Sequence, residues 1–169
     1  MKKGMIHVYY GDGKGKSSIC FGMVVRMLGW GKRVLVIQFL KGQESGEGRY
    51  FGDKGVVERF GKEEFLNKKS VNEEDVKEVR GGLKRAKEAL KEGFDLVILD
   101  EIGVAVEFGL VSEIEVETVL EERGDEVEVV LTGRWMGEML KKNADYVVEI
   151  KNIKHPYNKG VRARKGVEY

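Results

Sequence analysis

The sequence has only one cysteine and one proline, and its positive and negative charges nearly cancel. A lone cysteine excludes an internal disulfide framework and suits a reducing compartment. No apolar run approaches the ~20 residues that a membrane-spanning helix needs, and no apolar signal core follows the first residues. These absences predict a cytoplasmic protein without a membrane partner.

The remaining composition fits a folded domain. The chain has 169 residues, of which 41% are hydrophobic, enough to close a core without disulfides or metals. Charged residues reach 35%, and there are only five Asn and two Gln. High Lys and Glu with few amides is typical of proteins from thermophiles.

Charge is distributed unevenly along the chain. Residues 1–49 hold nine Lys and Arg against three acids, and residues 151–169 hold six against one. Residues 101–128 hold ten acids and one Arg. The net charge of +1 argues against a nucleic-acid partner, and solvated faces are the simplest interpretation of the blocks.

Short β-rich runs alternate with helical patterns. Apolar runs predict strands at residues 5–10, 33–40, 56–60, 94–99, 127–132 and 146–150. Longer apolar or amphipathic stretches predict helices at residues 17–28, 72–91, 112–122 and 135–143. Residues 41–55 are Gly-rich and predict a loop, and residues 151–169 form a basic tail. This order predicts a single α/β domain over residues 1–169, with a parallel sheet covered on both faces.

A glycine-rich loop between the first strand and the first helix, called the phosphate loop below, is the strongest motif. It comprises Gly11, Asp12, Gly13, Lys14, Gly15, Lys16, Ser17 and Ser18. Glycines let the backbone approach phosphates closely, and the amides of such a loop form an anion-binding nest at a helix N-terminus. We expect Lys16 to bind the phosphates and Ser17 to bind Mg²⁺. The standard motif has another glycine where this chain has Tyr10, so the cradle is expected to have a different shape.

Other charged residues are candidates for the same site. The strand at residues 94–99 leads into Asp100 and Glu101, and a carboxylate at a strand end commonly approaches Mg²⁺ in such proteins. Arg134 follows another strand, at the edge where open α/β sheets bind ligands. Arg26, the one charge within the long stretch after Ser17, is open to three interpretations: a helix-edge charge, a nucleotide contact or a contact to a partner subunit.

Taken together, these motifs resemble one enzyme family. GDGKGKSS, QFLKG, VILDE, LTGR, ADYVVE and the tail KHPYNKGVRARKGVEY follow one another in order. The chain is similar to the ATP:corrinoid adenosyltransferases of the CobA/CobO/BtuR type over nearly its whole length. The resemblance implies a P-loop NTPase fold of the RecA-like kind, a three-layer αβα sandwich with a mainly parallel sheet. It also implies transfer of the 5′-deoxyadenosyl group of ATP to the cobalt(I) of a reduced corrinoid, with release of triphosphate.

The resemblance also assigns roles to residues and partners. The phosphate loop, Arg26, Glu101 and Arg134 would bind the nucleotide. Ser17 with Asp100 or Glu101 would surround Mg²⁺ or Mn²⁺, and Lys16, Ser17 and Glu101 would serve catalysis. A homodimer is expected, together with an electron donor such as a flavoprotein that reduces the cobalt.

The region that follows the third strand departs from the family. Related enzymes have an aromatic pair there, thought to displace the lower cobalt ligand, whereas this chain has only Phe65. Phe65 either serves that role or packs in the core. His155 belongs to the tail motif, where it would close over a ligand or contact phosphate, with a cobalt ligand as a lesser alternative. Cys20, Trp30 and Trp135 are expected to pack. On the loop alone, a small-molecule kinase and a non-catalytic ATP-binding regulator remain alternatives.

Overall fold

A six-stranded parallel sheet forms the centre of the protein. The computed structural model describes residues 3–42, 44–62 and 68–168. The sheet has the order β3-β2-β4-β5-β1-β6, and every pairing is parallel. Its strands are β1 (Ile6–Tyr10), β2 (Val34–Phe39), β3 (Val57–Phe60), β4 (Leu96–Asp100), β5 (Glu128–Gly133) and β6 (Tyr146–Glu149).

Helices connect the strands and cover both faces. They are α1 (Lys16–Gly29), α2 (Gly46–Gly52), α3 (Glu73–Ala89), α4 (Ile102–Glu107), α5 (Glu113–Glu121) and α6 (Glu138–Asn143). Short 3₁₀ turns occur at Lys68–Ser70 and Pro156–Lys159. Asn72 and Ser112 begin α3 and α5 with complete capping boxes, which satisfy amide groups that a helix start leaves unpaired.

The two faces of the sheet bury separate apolar clusters. Along β2, Val34 and Val36 pack towards α1 and α2, whereas Leu35, Ile37 and Phe39 pack towards α3 and the later helices. This alternation follows from the two-residue period of a strand and explains why β2 is apolar throughout. The result is the predicted three-layer αβα sandwich.

Three predictions about local structure are corrected. Residues 41–55 contain α2, which Ser45 starts by accepting a hydrogen bond from the Gly48 amide at 3.2 Å. The short helix α4 follows β4 directly and was not expected. Trp30 and Trp135 are 80% and 41% exposed, whereas Cys20 is buried as expected. Nowhere in the described part of the chain is a helix long and apolar enough to cross a membrane.

Candidate functional site

The candidate site lies where the parallel strands end. Because all six strands run the same way, their carboxyl ends meet at one edge, where α/β sheets bind ligands. The phosphate loop leaves β1 at this edge and leads into α1 at Lys16. Gly11 and Gly15 adopt φ angles of 119° and 114°, which lie in the region that glycine tolerates and other residues avoid.

Neighbouring strands hold the phosphate loop in place. The Gly11 amide donates to the Gly133 carbonyl at 3.1 Å, and the Gly13 amide donates to the Ile150 carbonyl at 2.8 Å. A Cβ atom at Gly11 would lie 2.3 Å from that Ile150 oxygen, so the glycine is also required by close approach. Two loop amides are thus already paired, which gives this loop a shape different from a fully open anion nest.

Lys16 lies under the loop and is buried. Its Nζ donates to the carbonyl oxygens of Gly11 at 2.7 Å and Gly13 at 2.8 Å. Burial lowers the pKa of Lys16, whereas the nearby Glu101 carboxylate raises it. The ammonium group is therefore desolvated and held by neutral acceptors, which suits it to bind an anion arriving at the loop.

The fully buried Asp100, at the end of β4, is surrounded by donors from three other elements. Thr132 of β5 donates to Asp100 Oδ1 at 2.8 Å, and Gln38 of β2 donates to Oδ2 at 3.1 Å. Ser17 of α1 lies 3.2 Å from Oδ1 and 3.4 Å from Oδ2. The carboxylate therefore faces the Ser17 hydroxyl with both oxygens, and together they offer hard oxygen ligands of the kind that Mg²⁺ prefers.

Glu101 turns away from the strand. Its φ of 66° is left-handed, an arrangement that is uncommon for non-glycine residues and that recurs at functional sites. Burial and the adjacent Asp100 raise the pKa of Glu101, and Lys16 opposes them. The bend brings Glu101 into the wall of the cavity beside the loop.

A cavity of about 650 Å³ opens in front of these groups. The phosphate loop, the α2 start, the two strand ends and the C-terminal tail all contribute to it. Its lining comprises Asp12, Gly13, Lys14, Gly15, Lys16, Ser17, Ser18, Lys41, Ser45, Gly46, Glu47, Glu101, Arg134, His155, Gly166, Val167 and Glu168. This set includes four cationic side chains (Lys14, Lys16, Lys41 and Arg134) and four acidic ones (Asp12, Glu47, Glu101 and Glu168), which suits the cavity to an anion that arrives with a metal cation.

The tail reaches the phosphate loop from the other side. Asp12 accepts a hydrogen bond from the Asn152 amide at 3.0 Å. Glu168 accepts from Lys14 Nζ at 2.9 Å and from the Arg164 guanidinium at 3.0 Å. These two contacts, that of Arg164 first, lower the pKa of Glu168 to about 2. The Glu168 carboxylate therefore forms an ion pair with Lys14 of the phosphate loop.

Comparison with known proteins identifies the family. A model of the family described as "ATP:corrinoid adenosyltransferase BtuR/CobO/CobP" matches residues 2–169. The chain belongs to this adenosyltransferase family. A corrinoid adenosyltransferase from a Sinorhizobium species is 38% identical over 99% of the chain and 81% of its own length. That of Escherichia coli K12 is 34% identical, and corrinoid adenosyltransferase CobA of Salmonella typhimurium is 32% identical, each over 99% of this chain and 87% of the relative.

The fold is also found outside the corrinoid adenosyltransferases. The crystal structure of the RadB recombinase aligns with a TM-score of 0.50, covering 91% of this chain and 77% of that one at 14% identity. This similarity concerns the fold alone and confirms the expected RecA-like P-loop architecture. The site of this adenosyltransferase family member therefore stands on a fold that also occurs in a recombinase.

The structure brings most of the predicted site residues together. The loop residues, Glu101, Arg134 and His155 line one cavity, and Asp100 lies directly behind Ser17. Arg26 is placed elsewhere, exposed in the last turn of α1. Ten residues of helix, about 15 Å, separate it from Lys16, so its nucleotide role stays a prediction without support from this cavity. Phe65 lies outside the described residues.

Several residues of the site were not predicted individually. Gln38 and Thr132 belong to quoted motifs, but their contact with Asp100 depends on the strand order β2-β4-β5. Lys41 and the residues around Ser45 reach the cavity from the region predicted as a loop. Glu168 reaches it through the path of the tail. The available signal for Gln38 and Thr132 was that each stands near the end of a predicted strand, within QFLKG and LTGR.

Proposed function

We propose that this protein transfers the 5′-deoxyadenosyl group of ATP to the cobalt(I) of a reduced corrinoid and releases triphosphate. The observation that carries the proposal is the buried Lys16 below the glycine-rich loop, in the wall of the cavity, in a chain of the adenosyltransferase family. Cobalt(I) attacks C5′ of the ribose, a Co–C bond forms, and the C5′–O bond breaks. The electron pair of that bond leaves with the triphosphate.

In this reaction the main contribution of the protein is electrostatic. Cobalt(I) is itself a strong nucleophile, so the protein has to position two substrates and stabilise the leaving group. Negative charge accumulates on the triphosphate as the C5′–O bond breaks. Lys14, Lys16 and Arg134 are cations on the cavity wall, where they would bind the departing polyanion.

A divalent cation fits the same place. Ser17 and Asp100 supply oxygen ligands within 3.2 Å of each other, and Glu101 lies beside them in the cavity wall. Among the described residues there is no cluster of three His, Cys, Asp or Glu that could hold a metal by itself. Mg²⁺ or Mn²⁺ would therefore arrive with the nucleotide, whose phosphates supply further ligands and whose charge the ion neutralises.

We also propose that the triphosphate binds in an unusual pose. Tyr10 replaces the first glycine of the standard motif, and its ring packs against the apolar core beneath Lys141. The amides of Gly11 and Gly13 are already paired. Both features support an orientation different from that of kinases, and a nucleotide-bound structure with the ordinary kinase-like pose would refute it.

The remaining expectations concern partners. His155 lies in the cavity wall, which supports a role for the tail in closing over the ligand. A homodimer, an electron donor such as a flavoprotein, a cytoplasmic location and the absence of a nucleic-acid partner remain proposals from the sequence and the family.

An anaerobic assay tests the function. Protein, Mg-ATP and chemically reduced cobalamin are mixed, and the spectrum and the phosphate products are followed. A light-sensitive Co–C product with one triphosphate per corrinoid supports the proposal. ADP release without a corrinoid spectral change would indicate a kinase, and binding of ATP without turnover would indicate a regulator.

A further inference from the structure

The end of β4 is fixed by its two neighbouring strands. Gln38, Asp100 and Thr132 point to the same face of the sheet, and Gln38 and Asp100 are register partners. All three are fully buried. Buried polar groups are costly unless they are hydrogen-bonded, so the donors beside Asp100 require an explanation beyond packing.

Thr132 has two hydrogen bonds with opposite roles. Its hydroxyl donates to Asp100 Oδ1 at 2.8 Å and accepts from the Glu101 amide at 2.8 Å. The same atom thus fixes the Asp100 carboxylate and the backbone of the residue that adopts the left-handed conformation. A valine would have nearly the same shape but neither bond.

Gln38 holds the other carboxylate oxygen. Its Nε2 donates to Asp100 Oδ2 at 3.1 Å, while its Oε1 is buried without a hydrogen-bond partner in the described structure. With one oxygen held by Thr132 and the other by Gln38, the carboxylate cannot rotate freely. It keeps both oxygens directed towards Ser17, at 3.2 and 3.4 Å.

We infer that Thr132 and Gln38 are positioning residues that hold Asp100 and Glu101 in the orientation needed to bind a divalent cation with ATP. The inference rests on the proposed function, in which Asp100 and Glu101 lie around the metal–nucleotide complex. Neither Thr132 nor Gln38 lines the cavity, so both act through the acids. Preorganised ligands bind a metal more tightly than ligands that must first be ordered.

The experiment compares Thr132→Val with Thr132→Ser in the full chain. Mn²⁺ binding in the presence of ATP is measured by electron paramagnetic resonance, and metal-free ATP binding by calorimetry. Thr132→Val is expected to weaken Mn²⁺ binding about tenfold, equal to about 1.4 kcal/mol, with metal-free ATP binding unchanged. Thr132→Ser keeps the hydroxyl and is expected to restore the wild-type value.

Two further variants keep the outcome decisive. Gln38→Leu removes the second donor from the neighbouring strand and is expected to give the same metal-specific loss, even if Thr132→Val does not fold. Two results would overturn the inference. The first is wild-type Mn²⁺ affinity in Gln38→Leu and in any folded Thr132→Val. The second is an Mn²⁺ affinity of Thr132→Ser as low as that of Thr132→Val. Asp100→Asn distinguishes an error in the positioning role from an error in the metal assignment. If it loses Mn²⁺ binding while the other variants do not, only the positioning role is wrong, whereas wild-type binding by Asp100→Asn overturns the metal assignment itself.

Discussion

The Lys16 ammonium group is held in place by hydrogen bonds before any ligand binds. Its ammonium group donates to two carbonyl oxygens of its own loop, and no ion pair of Lys16 occurs among the described residues. Neutral acceptors satisfy the donors without neutralising the charge. A triphosphate would replace these neutral acceptors with anionic oxygens, which hydrogen-bond the ammonium group and also neutralise its charge.

We predict that Lys16→Met weakens ATP binding by about ten- to a hundredfold, because hydrogen bonds to charged groups contribute about 1.5–3 kcal/mol. Lys16→Arg is expected not to restore binding, since the planar guanidinium does not fit a site built around a compact ammonium group. Calorimetric titration with Mg-ATP measures both. Lys32→Met is the matched control, because Lys32 forms an exposed ion pair with Asp95 far from the loop. Equal losses in Lys32→Met and Lys16→Met would contradict the prediction.

At the scale of elements, the central strands and the phosphate loop could be predicted because their signals are local. Continuous β-branched runs such as that of β2 are typical of covered parallel strands, and the amphipathic pattern of residues 72–91 indicates α3. The strand order could not be predicted, since pairing partners are set by tertiary packing. For that reason the contacts of Gln38 and Thr132 with Asp100 could not be predicted from the sequence.

Short helices were missed for a different physical reason. The six residues of α4 are too few to show a helical period, and α2 contains three glycines, which weaken helix propensity. Tertiary contacts stabilise both helices. In α4, Gly103 lies so close to the β5–α6 connection that a Cβ atom would be 2.1 Å from the Trp135 carbonyl oxygen.

This close approach gives a prediction for the element. Gly103→Ala is expected to lower the free energy of unfolding by about 1–3 kcal/mol, the usual cost of overpacking, and to displace the connection that carries Arg134. Gly22→Ala is the control, because its Cβ would meet nothing within 4 Å in the exposed middle of α1. It is expected to raise stability by about 0.5–1 kcal/mol. Denaturant unfolding measures both changes, and equal stability of the two variants would contradict the packing argument.

For the whole molecule, the uneven charge layout has a structural counterpart. The basic first segment supplies the phosphate loop, and the tail returns to it through Asn152 and Glu168. The loop at residues 11–18 and the C-terminal tail, whose contacts span 140 and 154 residues of sequence, therefore meet at one cavity. One acid in the otherwise basic tail pairs with Lys14 and so competes with an anionic ligand for that cation.

The final prediction follows from this competition. Glu168→Gln removes the negative charge from the cavity wall and frees Lys14, so ATP affinity is expected to rise about threefold, in the range that exposed ion pairs support. Glu149→Gln is the control, because Glu149 pairs with Lys151 and does not line the cavity.

The folded pKa of Glu168 is lowered to about 2 from its ordinary value of 4.5, so the tail contact is complete above that ordinary value. It is lost as pH falls through about 2. The protection factors of the amides of residues 164–168, which are corrected for the intrinsic exchange rate at each pH, should therefore stay constant into weak acid and fall only in strong acid. In Glu168→Gln these protection factors should already be lower at neutral pH. An unchanged ATP affinity in Glu168→Gln, or an equal rise in Glu149→Gln, would show that the tail carboxylate does not compete for Lys14.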